Sequence, residues 1–375
     1  MTRKTVVPIF LGFMAVWAAI ASVPAIARTA LVPVNRHEGA LIKNPAFTHV
    51  EAAVVYLKKV RTLAPNEKEN YFLGFPTSMA ADDQGNLYVY DNLGSRIYRF
   101  DKDLRFIQAI GSSGASPGPG QFSAGAESND VRIEFGKDGL LYASDLRQKK
   151  ILCFNPDGKF IKDFPVNYIQ CTTPLVDRQG NFYLPSIHSG IIDVYDPTLK
   201  LKKILLAVEE LDSFLVFKPA PGIYRQRLFP YFSNYRAALL SGERLLVYNL
   251  NASKLYLVKN DEITLEKYLW PQNALALYRG KMAAAIKENP DVYRDLFIEF
   301  CQDLDNGRFF YLQFGKDEQR NLNLLYRFDV EGNLTRVLAV KIGKREQDRF
   351  KLKKGGRFFT IDDNKNINIF EEEVK

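Results

Sequence analysis

The chain repeats itself. The stretch AADDQGNLYVYDNLGSRIYRFDKDLRFIQAI (residues 80–110) returns as FGKDGLLYASDLRQKKILCFNPDGKFIKDF (135–164), with the same turn chemistry and strand lengths. Each copy reads as a polar turn with glycine, a Leu/Tyr strand, an acidic turn, a strand ending in Phe, another turn and a last strand. A repeat constrains the fold more than any other feature, because one copy can bury its apolar face only against the next.

The pattern continues. DRQGNFYLPSIHSGIIDVYDPTLKLKKILL (177–206) keeps every turn, SGERLLVYNLNASKLYLVKNDEITLEKYL (241–269) keeps the strand lengths, and NGRFFYLQFGKDEQRNLNLLYRFDVEGNLTRVLAV (306–340) lengthens the second turn. The chain ends with KGGRFFTIDDNKNINIFEEEVK (354–375), three strands without a fourth. Near the other end VEAAVVYLKKVRTL (50–63) is a strand with no unit of its own. If it supplies the missing strand, the termini zip one sheet, and six units of four strands make an all-β, six-bladed β-propeller that limits its exposed strand edges. A β-sandwich plus a second domain leaves the repeat spacing unexplained. On this reading GSSGASPGPGQF (111–122) is neither a domain linker nor a phosphate loop but the joint that crosses from the rim of one blade to the hub of the next.

Segment 75–101 (FPTSMAADDQGNLYVYDNLGSRIYRFD), followed by its GPGQF joint and the next unit, resembles the NHL-type repeats of six-bladed propellers, most closely over residues 75–165 and weakly beyond 206. The resemblance implies architecture rather than activity, since such propellers include binding modules and enzymes.

Residues 1–27 read as a signal peptide: Arg3 and Lys4, an apolar run from Val6 to Val23, and Ala25-Ile26-Ala27 for cleavage. Uncleaved, the same run would be a membrane anchor, the one membrane contact expected. The expected organisation is this signal, an N-terminal arm over 28–49, and a propeller over 50–375 interrupted near 207–232 and 272–300. Within the second interruption, 272–289 has helical spacing, with Leu275, Tyr278, Met282 and Ile286 on one stripe and Pro290 as its stop. The chain is thus expected to be exported, periplasmic or secreted, and monomeric. Removing the signal leaves 49 basic against 43 acidic residues, dispersed along the chain, and no nucleic-acid partner is expected. Cys153, Cys171 and Cys301 lie in or beside apolar segments and read as buried thiols.

Standard catalytic motifs do not occur in the sequence. GPGQFS lacks the third glycine of a dinucleotide turn, and there is no G-x-S-x-G elbow and no H-E-x-x-H. Histidine is confined to His37, His49 and His188, so no histidine metal centre and no cofactor is expected. A calcium site built from Asp, Asn and carbonyl oxygens stays open. Asp91, Asp145 and Asp362, with Asn249 in the matching place, recur after the second strand, where short polar side chains bond turn N–H groups.

Aligning the units on the glycine of the first turn places Ser78, Arg132, Thr173 and Arg349 seven residues upstream, with Arg236 and Phe300 in the remaining units. On innermost strands, three arginines on alternate blades would form a cationic well for a carboxylate, phosphate or sulfate. Alternatively each pairs with an acid such as Asp130 or Glu134, or points between blades. Ser78, Thr173, Arg132, Arg236 and Arg349 are therefore the candidate ligand-binding residues, and no catalytic residue is identified. The expected function is a non-catalytic module binding or scaffolding a protein, peptide or glycan on one face. The rivals are a channel-centred hydrolase or lyase for an anionic small molecule, metal-assisted in some related propellers, and a ligand sensor.

Overall fold

A computed structural model describes residues 42–43, 54–64, 71–114, 116–124, 131–166, 173–185, 192–205, 235–240, 244–249, 254–260, 262–269, 299–305, 307–317, 322–341 and 348–373. Every regular element among them is a strand.

Strands β1 (Ile42–Lys43) and β2 (Val54–Leu63) precede the repeats. The first repeat folds as an antiparallel sheet of β3 (Pro76–Ala81), β4 (Leu87–Asp91), β5 (Arg96–Phe100) and β6 (Phe106–Ile110). The glycine-rich joint follows as a small parallel ladder, β7 (Ser112–Gly114) against β8 (Gln121–Ser123). The second sheet is β9 (Val131–Phe135), β10 (Leu141–Asp145), β11 (Lys150–Phe154) and β12 (Phe160–Pro165). The third is β13 (Leu175–Val176), β14 (Phe182–Pro185), β15 (Ile192–Tyr195) and β16 (Leu201–Leu205). In the fourth, β17 (Tyr235–Leu239), β18 (Leu245–Asn249), β19 (Lys254–Lys259) and β20 (Glu262–Tyr268) are joined by β1, parallel to β20. The remaining strands are β21 (Glu299–Asp303), β22 (Phe309–Asp317), β23 (Leu322–Asp329), β24 (Leu334–Lys341), β25 (Arg349–Lys354), β26 (Arg357–Ile361) and β27 (Ile367–Glu372).

Apolar clusters link each repeat to the next. Phe122, at the end of the joint, is fully buried between the first two sheets, its ring 5.1 Å from Tyr90 and 6.0 Å from Phe154. The last cluster returns to the first sheet: Ile367 and Ile369 of β27 and Leu63 of β2 pack with Met79, Leu87 and Phe100. The arrangement is a propeller-like ring of small sheets.

Six separate blades are not what forms. Four sheets stand alone, and the last two repeats fuse with β2 into one closed eight-stranded sheet, in the order β2-β24-β23-β22-β21-β25-β26-β27. The cause lies in β2. At ten residues it is about twice the commonest strand length, so its first half pairs parallel with β24 (Val54↔Val337 to Leu57↔Val340) and its second half antiparallel with β27 (Leu57↔Glu372 to Leu63↔Ile367). At the opposite edge β21 pairs parallel with β25, Asp303 facing Lys353. Of the strand expected over 50–63, the described part, β2, does supply the missing neighbour of β27, and it also bonds the preceding repeat. The helix expected over 272–289, the insertion over 207–232 and the signal segment lie outside the described residues.

Candidate functional site

Two recurring features meet at one end of the ring: the connection leading into each innermost strand, and the turn after each second strand. Asp91 joins them in the first sheet, its carboxylate accepting from the N–H of Phe75 (2.6 Å) in the incoming connection and of Gly94 (2.7 Å) in its own turn. Asp145 does the same in the second, accepting from the N–H of Ser123 at 2.8 Å and from Arg147 and Gln148. Burial pushes the Asp91 carboxyl up, while the N–H groups of Gly94 and Phe75 pull it back. Asp362 accepts from the N–H of Asn366 at 2.8 Å. These aspartates are turn builders, as their recurrence implied; the side chain of Asn249 lies outside the described residues.

The candidate ligand residues occupy one register. Ser78 faces Tyr90, Arg132 faces Ser144, Arg236 faces Tyr248 and Arg349 faces Ile361, in each case the residue just before the turn Asp or Asn. Phe300 faces Leu312 in the fifth repeat. Thr173 precedes β13, and counting outward from Leu175↔Tyr183 sets it opposite Pro185. The seven-residue spacing therefore marks a real structural position at one end of the innermost strands.

The structure brings Ser78 and Arg132 together. Arg132 Nη1 donates to the carbonyl of Thr77 at 3.3 Å, and Ser78 Oγ accepts from the N–H of Ile133 at 3.1 Å. Both bonds cross from the second innermost strand to the first, so this arginine braces neighbouring sheets, one of the two arrangements its sequence position allowed.

Residues that the alignment passed over are also notable. Glu134, two positions along from Arg132 on the same strand, is enclosed enough that burial lifts its carboxyl to about 7, with Lys137 and the N–H of Phe135 pulling weakly the other way. Alternation with the buried Val131 and Ile133 puts it on the other face of the strand with Arg132, so the pattern gave no signal of this enclosure. A buried polar group sits inside the same end of the closed eight-stranded sheet. Asp348 accepts from Thr360 Oγ1 (2.7 Å) and Asn368 Nδ2 (2.8 Å), and its carbonyl accepts from Gln313 Nε2 (2.6 Å) and Asn323 Nδ2 (3.2 Å). Single-chain periodicity could not reveal it, because its members come from five separate segments.

Among the described residues no group of three or more His, Cys, Asp or Glu side chains is placed to hold a metal ion. Cys153 and Cys301 are buried thiols outside any disulfide, and burial pushes Cys153 up to about 11. Cys171 and all three histidines lie outside the described residues.

The sequence matches no family profile and no curated protein. Its fold is similar to that of a protein from Bacteroides fragilis described as exported, with a TM-score of 0.56 and 14% identity over 86% of this chain and 99% of that one. A catalytically inactive virginiamycin B lyase from Staphylococcus aureus aligns over 84% of this chain and 99% of its own, at 11% identity and a TM-score of 0.47.

Proposed function

We propose that the chain is an exported binding or scaffolding protein that recognises a protein, peptide or glycan on the end of the ring carrying the incoming connections. The observation behind this is the shared register of Ser78, Arg132, Arg236 and Arg349 at that end. Loops held at one end of a rigid scaffold are where binding residues concentrate. The signal-like residues 1–27 and the similarity to a protein described as exported support export, with the mature chain starting near Arg28, an arm to residue 49 and the ring from 50 onward. The NHL-like repeats over 75–165 support a ring of that type. An anion-induced thermal shift of the mature protein tests the cationic position. The shift should fall when Arg132, Arg236 and Arg349 are together replaced by alanine, and an undiminished shift removes these residues from the binding site.

A second reading has its own observation. Glu134, with a carboxyl near 7 on an innermost strand beside Arg132, suits general acid or base chemistry on an anionic small molecule, as a hydrolase or lyase of the ring centre would need. Turnover lost in Glu134→Gln with binding retained would favour this reading, and stoichiometric calcium or zinc in the purified protein would add to it.

A further inference from the structure

We infer that the binding end carries a docking patch for an acidic peptide with an apolar side chain, built around Phe72 and Leu93. This rests on the reading of that end as the binding face and names its partner.

Phe72 and Leu93 are 47% and 53% exposed, unusual for large apolar residues in this chain. They are not scattered singly. A Cβ placed on Gly74 would lie 2.5 Å from both Leu93 Cδ2 and Phe72 Cε1, so the two side chains meet over that glycine, and only glycine lets them lie so close to the backbone. One comes from the incoming connection and the other from the turn after β4. They thus form a continuous apolar surface at the binding end.

Next to Leu93 in the chain, Asn92 is 3% exposed, and among the described residues its side-chain amide N–H group has no acceptor. A buried donor without a partner is costly, and such positions in native proteins call for a specific explanation.

The exposed charges on the neighbouring turns are mostly positive. From the second sheet come exposed Arg147 and Lys149, Arg147 lying near enough to pull against the burial that raises the Tyr90 phenol. From the closed sheet Lys365 reaches over the Phe75 ring at 4.7 Å. Asp91 and Asp145 of the same turns are buried and bound to their own turns and incoming connections, away from the exposed surface. Asp363 is the exposed carboxylate that remains in the three turns. An apolar centre with exposed cations on the neighbouring turns complements an acidic, apolar peptide.

The test uses the full-length mature protein and the fluorescein-labelled peptide GEELFDEG, read by fluorescence anisotropy. Saturable binding is expected, weakened about tenfold or more by Leu93→Ser and several-fold by Lys149→Glu, with thermal midpoints unchanged because both positions are exposed. The companion peptides GKKLFKKG and GEESSDEG should bind far more weakly. The proposal is overturned by no saturable binding, by indifference to Leu93→Ser, or by equal binding of the basic peptide or of a single-stranded oligonucleotide of matched charge. It is equally overturned if sedimentation shows a dimer that Leu93→Ser abolishes, for then a second copy covers the patch. An anion-induced thermal shift that persists when the peptide fails would leave the binding-face reading standing with a different ligand.

Discussion

The first two repeats and the last two solve the same packing problem by different means. Between the first and second sheets the seal is side-chain matter: Phe122 wedges between Tyr90 and Phe154, and the outer strands β6 and β12 leave Ile107 and Ile161 exposed at 44% and 46%. The last two repeats are sealed by backbone hydrogen bonds at both edges, through β2 at the rim and β21 against β25. Between them lies an apolar interior of Tyr311, Leu325, Leu338, Phe350 and Phe358, with the Asp348 group at one end. A ring can thus be closed by wedges that leave sheets separate, or by a shared strand that makes two repeats one sheet.

The largest effect that would break this comparison is removal of residues 1–63. Without β2, the outer edges of β24 and β27 lose their partners, and Leu57 and Leu63 leave their apolar clusters. Hydrogen exchange should show amide protection lost first in β24 and β27 while β4, β5, β10 and β11 stay protected. Uniform loss across all sheets would mean that the two regions do not differ in how they are held.

Next in size is Phe122→Ala. It deletes the wedge between the first two sheets and should cost about 3–5 kcal/mol by urea denaturation, the usual range for a buried aromatic. An effect below ~1 kcal/mol would show that the joint, and not the ring of Phe122, holds these sheets.

Smaller effects separate contact from conformation. Gly158 and Gly139 both have φ of +81°, but a Cβ on Gly158 would lie 2.5 Å from Ile110 Cγ1 of the neighbouring sheet, whereas one on Gly139 would meet nothing within 4 Å. Gly139→Ala should therefore cost about 1 kcal/mol of backbone strain. Gly158→Ala should cost about 2–4 kcal/mol, because overpacking of about 1–3 kcal/mol adds to that strain. Equal costs would mean that the first two sheets lie too far apart for that contact.

How much of this was legible in the sequence follows from the range of the interactions. Turn chemistry is local, so Asp91, Asp145 and the repeat register could be read from spacing, and the alignment of Ser78, Arg132, Arg236 and Arg349 holds as strand pairing. The missing fourth strand at the chain end likewise pointed to β2. The fusion of the last two sheets was not legible, because β2 has the pattern of one edge strand and only its length hints at two partners. That Arg132 points between sheets was one of the alternatives its position left open, but its partner Thr77, 55 residues away in sequence, was not legible. The meeting of Phe72 with Leu93 over Gly74 depends on a turn and a connection whose proximity pairing alone reveals.

The smallest effect concerns sign more than size. Asp348 is 5% exposed, and burial pushes its carboxyl above the ordinary range, with Thr360, Asn368 and Lys59 pulling down and Asp362 pushing up. Its folded pKa therefore exceeds its unfolded one, the folded chain binds the proton better, and its contribution to stability grows as pH falls through the raised value toward 3.8. Asp305 runs the other way. Burial alone would raise it, but Lys353 at 2.6 Å and the N–H groups of Gly355 and Gly356 hold it below the ordinary range. Its contribution is complete above that range and is lost as pH falls through its lowered value. Urea midpoints measured from pH 7 to pH 3 should thus rise for the wild type relative to Asp348→Asn and fall relative to Asp305→Asn. Each change is at most about 1.4 kcal/mol for every tenfold difference in proton affinity between the folded and unfolded chain. Parallel pH curves for Asp348→Asn and the wild type would mean that the carboxyl is hydrated, and that the end of the closed sheet is open to water where the wedge-sealed sheets are not.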